Sequence, residues 1–351
     1  DDGKLFGTGD NTYGQQGSGT AGEESYVTEF TQRLSDQNIA KVVNTGDCTW
    51  AITTDGKLFG CGRNNYGQQG SGTAGEESYV TEFTQRLTDE NIKEVVIGEG
   101  TTWAITTDGK LFGCGYNASG EQGSGTSGYE SNVTEFTQRL TDENVKEVVA
   151  ISGVTWAITT DGKLFGCGDN NKGQQGSGTY GTDVTEFTQR LTNENIKDVF
   201  SSGQETWVVT TDGKLFGCGR NNYGQQGSGN TTNVTEFTQR LTDENIKEVV
   251  IDSEYTTWAI TTDGKLFGCG RNNNGQQGSG DTTNVTTFTQ RLSDQTVEKV
   301  ICSYNTTWAI TDDGKLFGCG NNDYGEQGSG DFDNVLTFTQ RLTDENIKEV
   351  V

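Results

Sequence analysis

The chain contains no histidine, no proline and no methionine. Without histidine it lacks the commonest general base and the commonest metal ligand. No Cys-x-x-Cys pair occurs among its eight cysteines, so a zinc site is not expected either. No stretch of 18 apolar residues is present to make a membrane-spanning helix, and no secretory pattern is visible. Without methionine the chain is expected to be a segment of a longer or processed product. It opens inside a sequence repeat, at Asp1-Asp2-Gly3-Lys4. The absence of proline has no evident physical account. Basic residues are scarce, 25 against 50 acidic ones, for a net charge of −25. Such a chain repels phosphate backbones and disfavours nucleic-acid binding. The acids are spread along the sequence, as expected of a solvated exterior, and they would also steer a basic partner.

What is present is one unit, repeated. Asp-Gly recurs at Asp2, Asp55, Asp108, Asp161, Asp212, Asp263 and Asp313, at spacings of 53, 53, 53, 51, 51 and 50 residues. A period near 50 with strand-like content predicts a propeller or solenoid built of units too small to bury an apolar face alone. Residues 1–351 are therefore read as a single domain with a distributed core, although only 30% of residues are hydrophobic.

Within a unit, Thr-Trp-Ala-Ile-Thr alternates large and small side chains, the period of a strand. Thr-Asp-Gly-Lys turns, with glycine supplying positive φ, and Lys-Leu-Phe-Gly-Cys-Gly returns antiparallel. A Gly/Asn/Gln-rich loop follows. Val-Thr-Glu-Phe-Thr-Gln-Arg-Leu and Ile-Lys-Glu-Val-Val supply a third and a fourth strand. Four short strands repeated seven times predict an all-β fold, a seven-bladed β-propeller, with a parallel β-helix as the lesser alternative.

The string Trp-Ala-Ile-Thr-x-Asp-Gly-Lys-Leu-Phe-Gly-Cys-Gly-x-Asn-x-x-Gly-Gln-Gln-Gly-Ser-Gly resembles the repeat of the RCC1 (regulator of chromosome condensation) family of seven-bladed propellers. The resemblance spans essentially the whole chain. Two features depart from it: threonine stands where many members carry histidine (Thr101), and the proline usual after the glycine-rich loop is replaced by Val-Thr-Glu-Phe. The family's namesake implies a guanine-nucleotide exchange factor-like regulator of a small GTPase as the alternative function. The near-equal repeat lengths leave no long wedge-like insertion for that activity, and fold alone does not imply it. If the missing first Trp strand lies upstream in a parent protein, the ring is expected to close by pairing of chain ends, with residues 347–351 beside strands of the first repeat.

The copies differ in three segments: before the Trp strand, after Phe-Gly-Cys-Gly, and after Gly-Ser-Gly. Hairpin geometry puts the first two at one end of the sheet and the Asp-Gly turn at the other, so one face should be uniform and the other variable. Variable loops on a rigid scaffold suit a binding surface, and these carry Tyr and Arg, types enriched at interface hot spots. The candidate partner-binding residues are Tyr13, Arg63, Tyr66, Tyr116, Lys172, Arg220, Tyr223, Tyr255, Arg271, Tyr304 and Tyr324. The expected function is a non-catalytic protein-interaction or structural scaffold that binds a protein partner through the variable loops of one face, with a place in a larger surface, virion or cytoskeletal assembly as one option. No cofactor is expected.

Gly17 to Gly22 and Gly70 to Gly75 satisfy Gly-x-Gly-x-x-Gly, but they precede a strand instead of a helix, so the dinucleotide reading fails. Cys61, Cys114, Cys167, Cys218, Cys269 and Cys319 share one slot, filled by Thr8 in the first copy. They are expected to be small buried strand residues. Cys48 and Cys302 also look unpaired, and eight thiols favour a reducing compartment. The six tryptophans, one per copy, are expected in the core. Asn117, Asn132, Asn230, Asn233, Asn284 and Asn305 head glycosylation sequons that matter only in a secreted eukaryotic protein.

Overall fold

The computed structural model describes residues 3–252 and 255–350. Among them there are 26 β-strands and no helix. Six sheets have four strands each and one has two. These sheets are the seven blades of an all-β propeller. The chain forms two compact units: residues 1–169 with 183–192, and residues 170–182 with 193–351. The first holds the two-stranded sheet and three four-stranded ones; the second holds three four-stranded sheets.

The first copy supplies β1 (Leu5–Gly9) and β2 (Val27–Arg33). The next sheet is β3 (Ile39–Asn44), β4 (Cys48–Thr53), β5 (Leu58–Arg63) and β6 (Tyr79–Arg86), antiparallel and in sequence order. A blade is therefore out of phase with the Asp-Gly period: its first strand, the Ile-Lys-Glu-Val-Val element, comes from the preceding copy. This explains a departure at residues 347–350. The fourth strand expected there does not form; Ile347 N donates to Gly314 O at 2.9 Å, and the segment continues without a strand. In the other copies this element is held by pairing with the Trp strand that follows it in sequence. Val351 and Asp2 lie outside the described residues.

The turn between β4 and β5 is as the sequence suggests. Gly56 has φ +82°, and the Thr53 hydroxyl donates to the Asp55 carboxylate at 2.5 Å and accepts from Lys57 N at 2.9 Å. β4 and β5 are almost wholly buried. Trp50 crosses to its strand partner Gly60, where a methyl group would collide with the indole. Core clusters join adjacent blades: Trp50, Ile52 and Leu58 pack with Ile92, Val95 and Ala104 of the next sheet. Within each unit the apolar face of one blade is thus covered by the next, the reason a single copy cannot fold alone.

The glycine-rich loop fastens blade to blade. Asn64 Oδ1 accepts from Gln69 N at 2.9 Å, and its amide donates to Ser71 Oγ and Thr73 O. Gln69 Nε2 donates to Cys61 O, and Arg86 Nε donates to Gln69 O. The folded loop then reaches the following blade. Gly72 N donates to Thr134 O at 2.9 Å, Ser71 bridges to Glu135, and Gly70 lies against Phe136 so closely that any side chain would clash. Gly70 also has φ +58°, a second reason for glycine.

All eight cysteines are unbridged thiols, seven of them buried. The Cys61 thiol donates to Gln15 O at 3.4 Å, and burial pushes its pKa up. These thiols are packing elements with little thiolate character. Five of the six tryptophans are fully buried; Trp308 is half-buried.

Candidate functional site

The first two variable segments meet at one end of each blade. Arg63 N donates to Asp47 O at 2.9 Å, Tyr116 N to Gly100 O at 2.9 Å, and Arg220 N to Gln204 O at 2.8 Å. The backbone bond is the same in each case, so only the side chains differ. In the first unit these side chains converge. Arg63 Nη1 pairs with Asp47 Oδ2 at 3.0 Å, and its guanidinium carbon stands 5.1 Å from the Tyr13 ring centre and 5.9 Å from that of Tyr66. Tyr66 and Tyr116 rings lie 4.7 Å apart. Beside them is a cavity of about 620 Å³ lined by Asp47, Arg63, Tyr66, Ile97, Glu99 and Tyr116. Burial, followed by the charges of Tyr129 and Glu121, raises the Tyr116 phenol to about 12, so it stays a neutral donor.

The second unit repeats the chemistry with different residues. Tyr223 and Tyr255 stack at 5.2 Å with planes 19° apart. Arg220 covers Tyr255 at 4.0 Å and Arg271 covers Tyr223 at 5.5 Å. Arg220 Nη1 donates to Gln204 Oε1 at 2.5 Å. Beneath, Glu205 is fully buried; burial and then Asp252 raise its carboxyl to about 8, against a hydrogen bond from Ser202.

Of the residues nominated from sequence, Tyr13, Arg63, Tyr66 and Tyr116 form one cluster, and Arg220, Tyr223, Tyr255 and Arg271 form another. Lys172 is half-buried on its own loop, where its backbone N donates to Gln174 Oε1 at 2.8 Å. Tyr304 and Tyr324 stand exposed, at 82% and 89%. Sequence reasoning missed Tyr79, edge-on to Tyr13 at 5.6 Å, and Tyr129, 6.3 Å from Tyr116. Both lie in or beside the third variable segment, the signal that could have found them. The sequon residue Asn117 is fully buried and binds Ser124 and Thr126, so it cannot carry a glycan.

The opposite end is nearly uniform, with Lys110, Lys163, Lys214 and Lys265 each holding a glutamate and an aspartate and Lys57 and Lys315 an aspartate. Lys163 holds Glu143 at 2.8 Å and Asp161 at 3.1 Å, and Lys214 holds Glu194 at 2.9 Å and Asp212 at 3.1 Å. Among the described residues no group of three or more Cys, Asp and Glu is placed to hold a metal ion, and no helix is long and apolar enough to cross a membrane.

The model of the RCC1-like domain matches residues 4–351. The chain belongs to the RCC1-like domain family. Among curated proteins, this RCC1-like chain is 32% identical over 189 residues to the ultraviolet-B receptor UVR8 of Arabidopsis thaliana, covering 51% of this chain and 41% of the receptor. It is 29% identical over 185 residues to the human E3 ubiquitin-protein ligase HERC2, covering 52% of this chain and 4% of the ligase. The chain thus spans less than half the length of either relative. Of solved structures, human WBSCR16 superposes with a TM-score of 0.63 at 19% identity, covering 96% of this chain and 94% of that one. Prp20p of Saccharomyces cerevisiae superposes at 0.60 and 16% identity, covering 96% and 85%. At those identities the likeness is one of fold.

Proposed function

We propose that this RCC1-like chain is a non-catalytic protein-binding module whose variable loops form the recognition surface. One observation carries the reading: guanidinium–tyrosine clusters assembled from positions that differ between copies, on strands that hardly differ. Arg and Tyr provide large rigid contact area with polar tips, the make-up of interface anchors. The net charge of −25, with Asp47 and Glu99 at the cavity, favours a partner segment carrying basic side chains. Related propellers have protein partners: Prp20p was solved with its binding properties to Gsp1p and histones described, and yeast RCC1 was solved bound to Kap60.

The test is affinity capture with mass spectrometry, comparing the chain with a variant carrying Arg63→Ala, Tyr66→Ala, Arg220→Ala and Tyr223→Ala. A protein lost only from the variant supports the reading. The same proteins captured by both, or equal losses with Lys57→Ala and Lys214→Ala at the uniform end, would sink it. A small GTPase among the captured proteins, with its nucleotide release accelerated by this chain, would move the function to an exchange regulator.

A further inference from the structure

Gly100 and Tyr255 occupy the same backbone position in different blades. Each stands three residues before a core tryptophan, Trp103 or Trp258. Both are left-handed, at φ +77° and +69°. Both carbonyls accept from the residue that follows the Phe-Gly-Cys-Gly strand, Tyr116 N at 2.9 Å and Arg271 N at 3.0 Å. Only the side chain differs.

In the second unit the Tyr255 ring lies among residues of the preceding blade. It stacks on Tyr223 at 5.2 Å with planes 19° apart, and Arg220 covers it at 4.0 Å. Arg220 and Tyr223 are the ends of an Arg-Asn-Asn-Tyr segment, and the first unit carries the same segment before Gly100, as Arg63 to Tyr66. The Arg63 guanidinium carbon stands 5.9 Å from the Tyr66 ring centre, the separation also found between Arg220 and Tyr223. The ring platform and the guanidinium are therefore in place, but Gly100 brings no ring to them. Instead the cavity of about 620 Å³ lies among Arg63, Tyr66 and Gly100, a volume typical of ligand pockets.

Gln68 lines this cavity and is only 3% exposed. Its Oε1 accepts from Tyr66 N at 2.9 Å, and its amide nitrogen bonds no described residue. The matching amides are engaged: Gln174 donates to Gly203 O and Gln276 to Asn305 Oδ1, each at 3.0 Å. A buried donor left open in this way calls for an acceptor on the ligand. Ile97, Ala150 and Ile151 give the lining an apolar part, and Asp47 and Glu99 make it acidic.

We propose that the cavity is the anchor site for one aromatic side chain of the protein partner, a tyrosine flanked by basic residues, which rests on the variable face being the recognition surface. Its ring lies between Tyr66 and Arg63, as Tyr255 lies between Tyr223 and Arg220. The filled copy fixes the chemistry: a ring stacked on a ring, with a guanidinium over its face. Gln68 is the donor for the phenol oxygen, which selects tyrosine over phenylalanine. Asp47 and Glu99 attract the flanking cations.

The test is calorimetric titration of the 351-residue chain with two synthetic peptides, Gly-Lys-Tyr-Lys-Gly and its Tyr→Ala counterpart. The tyrosine peptide should bind about tenfold more tightly. Tyr66→Ala, which removes the platform, should bring the two peptides level. Gly100→Tyr should do the same by placing a ring in the cavity from within. Tyr66 Cδ2 lies 2.9 Å from a Cβ at position 100, so that ring has to turn aside, and Tyr223 beside Tyr255 shows the arrangement it would reach. If Gly100→Tyr does not fold, Tyr66→Ala decides. Equal binding of the two peptides to the parent chain overturns the proposal, as does a tyrosine preference that survives the substitutions, or no binding of either peptide. Affinity capture separates this outcome from the reading beneath it. A protein lost from the four-alanine variant but kept by Gly100→Tyr leaves the recognition surface standing and removes the anchor. Proteins kept by both variants remove the surface, and the anchor with it.

Discussion

Trp50 and Phe136 meet edge to face, their ring centres 5.7 Å apart and their planes at 74°. One belongs to the second strand of its blade, the other to the last strand of the next. Trp103–Phe187 repeats the geometry in the first unit, and Trp207–Phe288 and Trp258–Phe338 repeat it in the second. Edge-to-face contact puts the positive rim of one ring on the negative face of the other, worth about 1 kcal/mol beyond the area buried.

Phe136→Ala should therefore destabilise the chain by about 2–4 kcal/mol, combining lost burial, the ring contact and a cavity beside Trp50. Urea denaturation reads this directly. Tyr180→Ala, at an exposed loop position, should cost less than about 0.5 kcal/mol. Equal losses at the two positions would contradict the pairing.

The glycines facing the tryptophans should resist the smallest enlargement. At Gly268 a methyl group meets Trp258 and the Gln277 side chain, both fully buried. Gly268→Ala should cost about 1–3 kcal/mol through overpacking. A melting temperature equal to the parent's would mean the indole can move.

The arginine clusters carry a stability cost of their own. Arg220 lies over Tyr255 at 4.0 Å and is half-buried, so Arg220→Ala should destabilise by about 1 kcal/mol as well as weaken partner capture. From sequence, these substitutions would be expected to leave melting unchanged; packing of the loop side chains on one another changes that. Lys57, paired only with the exposed Asp55 at 2.8 Å among the described contacts, should give no measurable change when replaced by Ala.

Glu205 predicts a pH dependence. Burial raises its carboxyl to about 8 in the folded chain, while the unfolded chain ionises it near the ordinary glutamate value of about 4.3. Between those values the folded state holds the proton and the unfolded state does not, so stability falls as pH rises from about 5 to 8 and levels off above. Glu205→Gln should flatten that slope in urea titrations at pH 5 and pH 8. A slope unchanged by the substitution would place its origin elsewhere.

Much of the fold was legible in the sequence because repetition averages out local ambiguity. Trp-Ala-Ile-Thr and Leu-Phe-Gly-Cys-Gly read as a hairpin around Asp55-Gly56, and they are β4 and β5. The spacing of 50 to 53 residues and the strand count gave the propeller. The blade boundary was not legible, since Ile39–Asn44 is as good a strand closing one copy as opening the next blade. Its position became visible only through hydrogen bonding to β4. The glycine-rich loop read as irregular backbone; its role as a fastener depends on Thr134, Glu135 and Phe136, more than 60 residues downstream of Gly70.

The candidate surface divides in the same way. That Arg63 and Asp47 share one end of a blade follows from hairpin geometry and the sequence alone. That Arg63 stands between Tyr13 and Tyr66, that Tyr79 joins them, and that Tyr304 and Tyr324 face solvent instead, was decided by tertiary structure. Local pattern determines which strands form and which end of a strand a residue occupies, because backbone geometry is periodic. Which side chains meet across blades depends on how far each sheet twists and how closely the next one packs, and no single repeat encodes that.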